Sequence, residues 1–358
     1  MKNFDLTTEN LLSSLPEVLL PWYRRNARDL PWRRTGDPYP IWISEIMLQQ
    51  TRVAAVLGYY ARFLEAFPTV NDLAAASEER LMKLWEGLGY YSRARNLQKA
   101  AKLVAEAGAF PDTYEDLLRL PGVGDYTASA IASAAFGRRE AAVDGNVLRV
   151  VMRLLDCFAD IADPKVKAAA RAAVQAVMPE EGADIRIFNQ AMMELGATVC
   201  VPNGEPKCGE CPAKDLCLAR RRGTALSLPV KKAKKARRVE EKTVYVLVKE
   251  GKVALRQRGD QGLLAGLWEF PNVEGRLEEA QAAQPLADWG LTPKAWAKRL
   301  TAKHIFTHVE WHMTGYVLEV EGQGPFLWAD GADLDAHAVP SAFAKFYAEA
   351  QKAAEKEA

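Results

Sequence analysis

The chain has 358 residues, with 47 Lys and Arg against 46 Asp and Glu, so its net charge of +1 excludes any argument from overall charge and leaves only how charge is distributed. That length suits two domains with full cores. The longest apolar runs fall short of a bilayer span, and the N-terminus carries acids and an early Pro16 where a secretion signal would need an apolar core, so the expected location is cytoplasmic, with no membrane partner.

In chain order, residues 8–26 read as helical, kinked or broken near Pro16 and Pro21, and Arg28 to Arg34 form an irregular basic and aromatic segment. Pro38 and Pro40 then precede a helix in which the spacing of Ile41, Trp42, Glu45 and Leu48 puts a carboxylate on an apolar stripe. A lone helical Glu is more often a solvated surface residue. On an apolar face, however, desolvation keeps the carboxyl protonated near neutral pH and makes it a general acid. Residues 53–119 are helical by pattern, with turns at Phe67-Pro68, Gly87 to Gly89 and Gly108 to Pro111.

The stretch from Glu115 to Leu154 holds a short amphipathic helix, the turn Leu120-Pro121-Gly122-Val123-Gly124 and an alanine-rich helix. Pro121 cannot continue the first helix, and two glycines allow a tight turn that presents free N–H groups at the next helix start. Such groups suit a phosphate, although an ordinary corner fits the same pattern. Asp144 opens the following helix as an N-cap, where the helix dipole favours its ionised form. Residues 165–199 read as two helices. Cys200, Cys208, Cys211 and Cys217 follow, separated by seven, two and five residues, too clustered for a disulfide framework and a strong metal signal. Zinc and an iron–sulfur cluster both accept four cysteines. Cys157 stands apart in an apolar context and reads as packing.

From Arg220 to Val239 there are nine Lys or Arg residues and no acid, a linker whose charge suits a DNA backbone or plain solvation. The character then changes. Thr243 to Val248 and Val253 to Gln257 read as strands, Leu267 to Pro271 as a further extended piece, 299–320 as more strand, and the tail from Ser341 as a helix.

The LPGVG turn followed by Asp144 resembles the helix-hairpin-helix DNA glycosylase superfamily. Ile43-Ser44-Glu45-Ile46-Met47-Leu48-Gln49-Gln50-Thr51, and with it Trp85 to Leu97, resembles the MutY-type adenine DNA glycosylases within it. The resemblance implies a multidomain protein: an all-α helix-hairpin-helix glycosylase domain over 1–219 with a [4Fe-4S] cluster loop at 200–217, a basic linker at 220–240, and an α+β Nudix-like domain over 241–358. The implied activity is base excision repair, with adenine opposite 8-oxoguanine or guanine removed by hydrolysis of the N-glycosidic bond. The implied partner is double-stranded DNA carrying an adenine mispair, bound by a monomeric bacterial protein used at the nucleoid.

The same resemblance assigns residues. Glu45 would protonate adenine at N7, and Asp144 would stabilise the oxocarbenium ion, with Tyr126 and Asn146 around it. Gln50 and Thr51 would lie beside the opposing strand and Leu48 near the widowed base stack; Tyr90 is the wedge candidate. Leu120, Gly122, Val123 and Gly124 would grip the backbone, and Lys207, Lys214 and Arg220 could contact phosphates. Bifunctional relatives carry a lysine just before the hairpin threonine, as the Schiff-base amine. This chain has Tyr126 before Thr127, which predicts no efficient lysine-dependent strand cleavage. The family usually has six residues in the first cysteine interval, where this chain has seven. In the C-terminal part, Phe306, Thr307 and His308 match the family's lesion-reading loop, with Thr307 in place of serine. Gly275 to Ala280 lack the full REXXEE set, so Nudix hydrolysis is not expected. The rival readings are a glycosylase for thymine mispairs or oxidised pyrimidines, a non-catalytic DNA-binding protein with a structural cluster, and a nucleotide-pool hydrolase.

Overall fold

The computed structural model describes residues 12–180, 182–231 and 236–355. The start of the helix expected from residue 8, the middle of the basic linker and residues 356–358 lie outside the described residues. Two compact units emerge: one of residues 12–75 and 96–231, the other of 76–95 with 236–355.

The first unit is helical. It contains α1 (Leu15–Asn26), α2 (Pro38–Leu48), α3 (Val53–Ala66) and α4 (Val70–Ala75). The chain continues through α5 (Glu78–Trp85), which belongs to the second unit, and α6 (Ser92–Ala107), whose first turn does. Then come α7 (Tyr114–Leu117), α8 (Asp125–Phe136), α9 (Gly145–Leu154), α10 (Pro164–Val177), α11 (Ala183–Thr198) and α12 (Leu218–Arg222). Pro16 lies at the start of α1, where a missing N–H costs nothing, and Pro21 is carried inside it. Helix α8 is buried along nearly its whole length by Thr127, Ala128, Ser129, Ala130, Ile131, Ala132 and Ser133, and it packs on α2. Its small side chains let neighbouring backbones approach, and Gly137, at φ +66°, ends it in the left-handed conformation. Helix α9 packs on α11 through Val147, Val150, Val151 and Leu154 against Phe188, Met192 and Leu195 in one core.

In the second unit, β1 (Arg238–Lys249) runs parallel to β6 (Val309–Gly322), in register from Arg238 opposite Val309 to Val248 opposite Glu319. The other strands are β2 (Lys252–Gln257), β3 (Trp268–Glu269), β4 (Asn272–Glu274), β5 (Leu291–Ile305) and β7 (Leu327–Ala329). The sheet order is β3-β2-β1-β6-β5, with β4 paired to β1 and β7 to β2. The uninterrupted apolar run of β1 is explained by burial on both faces. Val244 and Val246 enter one core with Phe343, Phe346 and Ala350 of the C-terminal segment, while Tyr245 and Leu247 enter another with Ala282 and Leu286. Two helices therefore sandwich the sheet, α13 (Glu279–Asp288) and α15 (Ala344–Glu355), and α14 (Gly331–Ala336) lies between them in sequence. Helix α13 was not expected from the sequence, where only Gly275 to Ala280, reaching its first two residues, were read, as an incomplete REXXEE set; Glu278 caps it through a reciprocal box with Gln281.

Candidate active site

Asp37 caps α2 by accepting from Tyr39 N–H at 2.9 Å, and buried Ile41, Trp42, Ile43, Ile46 and Met47 fix the helix in the core. That leaves Glu45 facing a cleft of about 820 Å³, which is also lined by Tyr126, Asp144 and Asn146. Tyr126 donates its hydroxyl to Glu45 Oε2 at 2.8 Å. The Glu45 carboxyl is raised from its ordinary 4.5 to about 7, by burial first, with the Tyr126 hydrogen bond opposing, the Asp144 charge adding to the rise and Arg33 working against it.

Asp144 caps α9: Oδ1 accepts from Val147 N–H at 2.7 Å and Oδ2 from Asn146 Nδ2 at 2.7 Å. Burial raises its carboxyl above the ordinary value, while those two donors and the Arg149 charge work against the rise. The two acids thus differ in kind: one has a single donor in a desolvated pocket, the other is held by a helix terminus. Arg149, itself buried, bonds Asn146 Oδ1 at 2.9 Å, the Gly196 carbonyl at 2.7 Å and the Cys200 carbonyl at 2.8 Å.

Gln50 and Thr51 also line the cleft, at the turn after α2, where Thr51 N–H bonds the Leu48 carbonyl at 3.3 Å and Gln50 sits at φ +61°. Leu120 and Val123 are 7 % exposed each, so the hairpin offers its backbone, not those side chains. Gly122 has φ +79°, and a Cβ there would stand 2.8 Å from Asn96 Cβ, so only glycine fits.

Sequence reasoning missed a charged triad whose two arginines, Arg28 and Arg33, line the cleft. Glu194, fully buried on α11, accepts from Arg28 Nε at 2.7 Å, Arg28 Nη2 at 2.8 Å and Arg33 Nη2 at 2.7 Å. Burial alone would push its carboxyl up; the arginines outweigh that and hold it at about 2. The signal that flagged Glu45, an acid among apolar helix positions, is present again at Ala191 to Leu195.

The four cysteines line one cavity with Arg153, Lys207, Lys214 and Arg220. The long first interval is absorbed as an outward loop through Gly204, at φ +76°, closed by Lys207 N–H bonding the Val199 carbonyl at 3.0 Å. Arg153 Nη1 approaches Cys200 Sγ at 3.2 Å. Burial raises the Cys217 thiol and pushes that of Cys211 up to about 12, so a positively charged group would be needed to hold them as thiolates.

Within the second unit, a cavity of about 1050 Å³ is lined by Tyr90, Arg95, Arg238, Phe306, Thr307 and His308. Tyr90, half-exposed at φ +48°, has its hydroxyl 3.0 Å from Thr307 Oγ1. Phe306 packs against His304 and Trp311 with ring centroids 4.5 and 4.8 Å away. The wedge candidate and the lesion-loop candidates therefore share one site.

A family model described as "HhH-GPD superfamily base excision DNA repair protein" matches residues 43–176, and one described as "NUDIX domain" matches 243–349. A human protein described as adenine DNA glycosylase is 39% identical over 370 residues, covering 86% of this chain and 67% of that one. The chain belongs to the adenine DNA glycosylase family. It is a base-excision-repair enzyme that hydrolyses N-glycosyl bonds and binds DNA. Among solved structures, this family member is similar to a thermostable thymine-DNA glycosylase, with TM-score 0.54 and 30% identity over 60% of this chain and 99% of that one. It is also similar to an endonuclease III–DNA complex, with TM-score 0.51 and 26% identity over 60% and 97%. The all-α plus Nudix-like architecture expected from sequence is the one found.

Proposed function

We propose that the cleft excises adenine paired with 8-oxoguanine or guanine, acting on an extruded nucleotide. The observation that carries this reading is the pair of unlike carboxyls in one cleft, Glu45 with its carboxyl pushed up to about 7 and Asp144 tied into a helix cap. Glu45 delivers a proton to adenine N7, which lets the electron pair of the N9–C1′ bond leave with the base. Asp144 stabilises the oxocarbenium ion until water adds at C1′. Tyr126 and Asn146 hold the two acids. No lysine is among the residues lining the cleft, which supports hydrolysis without Schiff-base strand cleavage.

Gln50, Thr51, Tyr90 and the hairpin at Leu120 to Gly124 engage the duplex in this reading, and Phe306, Thr307 and His308 read the opposing base. Cys200, Cys208, Cys211 and Cys217 hold a [4Fe-4S] cluster. Among the described residues, no three His, Cys, Asp or Glu converge as a mononuclear site would need, while the four cysteines surround a shared cavity. The cluster supplies a rigid structural anchor. The enzyme works as a monomer, in the bacterial cytoplasm at the nucleoid, with domains divided along the sequence at 1–219, 220–240 and 241–358, apart from residues 76–95, which join the second compact unit.

The test is single-turnover cleavage of a duplex with one adenine opposite 8-oxoguanine, with and without hot alkali, beside Asp144→Asn. Breaks that appear chiefly after alkali and vanish in the variant are expected. No release of adenine, with release of thymine or an oxidised pyrimidine from parallel duplexes, would overturn the assignment.

A further inference from the structure

Residues 137–144 join α8 to α9 with no regular structure, yet Ala141 and Ala142 are 1% and 0% exposed. Buried backbone of this kind needs hydrogen-bond partners. They come from side chains. Gln175, on α10, donates Nε2 to the Arg139 carbonyl at 2.6 Å and accepts from Ala141 N–H at 2.7 Å. Asn189, on α11, donates Nδ2 to the Glu140 carbonyl at 2.7 Å and accepts from Ala142 N–H at 3.0 Å. Arg171, one turn before Gln175, donates Nε to the Ala141 carbonyl at 3.3 Å.

The pattern is that of a strand between two neighbours. Groups of residues 139 and 141 point to one edge and those of 140 and 142 to the other, as in extended backbone. Each side-chain amide stands in for the peptide of a neighbouring strand, offering one donor and one acceptor. Asn189 also donates to Ser133 Oγ at 2.8 Å, which ties the same amide to α8. Its polar atoms are all used.

This segment delivers Asp144, two residues beyond Ala142. We propose that Asn189 and Gln175 are positioning residues for excision, clamping 139–142 from opposite edges so that the Asp144 carboxylate meets the reacting sugar at a fixed place. The inference rests on the assignment of Asp144 under the proposed function. Apolar side chains of similar size at these two positions take the partners from four backbone groups, among them the N–H groups of buried Ala141 and Ala142, and the segment must shift to find others. A displacement of about 1 Å at a reacting group costs on the order of 100-fold in rate.

The experiment compares wild type, Asn189→Leu, Gln175→Leu and Asp144→Asn as cluster-loaded full-length proteins. Two quantities are read: the single-turnover rate of adenine release, and the ratio of affinities for duplexes carrying a cationic pyrrolidine or a neutral tetrahydrofuran in place of the excised nucleotide. The ratio senses where the negative charge sits. Each Leu variant is expected to lose about 10- to 100-fold in rate and a comparable factor in the ratio, with tetrahydrofuran affinity within about 3-fold of wild type. Equal loss of affinity for both probes marks a general structural defect and overturns the proposal, as does an unchanged rate and ratio while Asp144→Asn loses both. Full rate in Asp144→Asn instead sinks the catalytic assignment itself. Gln175 is only half-buried, so its variant carries the test should Asn189→Leu not fold.

Discussion

Tyr126 and Glu45, 81 positions apart, meet in a hydrogen bond of 2.8 Å, donated by the phenol to the carboxyl that burial has pushed up to about 7. The bond favours the ionised form, so removing it raises the carboxyl further. Activity that requires protonated Glu45 falls as pH rises through its folded value. Tyr126→Phe is therefore expected to move the falling limb of the single-turnover pH profile upward by about 1 unit. An unmoved limb would show that Glu45 is not the group being titrated.

The same carboxyl makes stability depend on pH. With a folded value near 7 against an ordinary 4.5, the native state binds more protons than the unfolded chain between those values, and stability declines as pH rises through that window. Glu45→Gln removes the decline. Relative to wild type, the variant should gain up to ~3 kcal/mol in urea unfolding at pH 8 compared with pH 4, while losing at least ~100-fold in excision rate. Parallel pH dependence in the two proteins would contradict this.

Much of the site was legible in sequence because its signals are local. Asp144 is a cap written into Val143-Asp144-Gly145, and Glu45 interrupts an apolar stripe within one helix. Four cysteines in eighteen residues announce themselves. What escaped was long-range convergence of residues that look ordinary where they stand. Glu194 and Arg28 are 166 positions apart, and neither neighbourhood names the other. Asn189 and Gln175 carry no local signal, and their partners are backbone atoms of a stretch with no periodicity. Helix α13 was missed because Pro285 lies inside it and breaks a weak pattern, and packing on Tyr245 and Tyr316, not propensity, holds it.

Glu194 offers a direct energetic test. It is fully buried, while the Arg33 side chain is 13% exposed and that of Arg28 39%. Glu194→Ala leaves two guanidinium groups facing an uncharged hole, so a loss of ~3–5 kcal/mol is expected from the urea midpoint. In wild type the depressed carboxyl contributes its stability above the ordinary 4.5 and loses it as pH falls through about 2. The variant's deficit should therefore shrink in acid, and a deficit that stays constant down to pH 2 would assign the loss to packing instead.

Gly196 on α11 lies against the residue that steadies Asp144: a Cβ there would stand 2.7 Å from Asn146 Cβ and 3.0 Å from the Asn146 carbonyl oxygen. These are the Cβ and backbone of one helical residue, not the far end of a flexible side chain that could swing away. Gly196→Ala is expected to cost ~1–3 kcal/mol and, by pushing Asn146 from Asp144 Oδ2, to slow excision by more than the stability loss explains at a temperature where both proteins are folded. Thermal melts beside single-turnover rates at 20 °C decide it, and wild-type values in both would disprove the close approach.

Thr307 places a hydroxyl 3.0 Å from that of Tyr90 within the second unit. Tyr90 has φ +48°, a conformation that a bulky residue holds only when its surroundings impose it, and the hydroxyl contact is one such restraint. Under the proposed function, the wedge and the base-reading loop are then coupled: losing the Thr307 hydroxyl frees Tyr90 and blurs the reading of the opposing base. Thr307→Ala should reduce the preference for 8-oxoguanine over guanine opposite adenine by about 3- to 10-fold, the range of one neutral hydrogen bond. Thr307→Ser restores the hydroxyl without the methyl and should restore the preference. The ratio of single-turnover rates on the two duplexes reads this directly. If Thr307→Ser fails as Thr307→Ala does, the methyl's packing, and not the bond to Tyr90, is what the loop needs at this position.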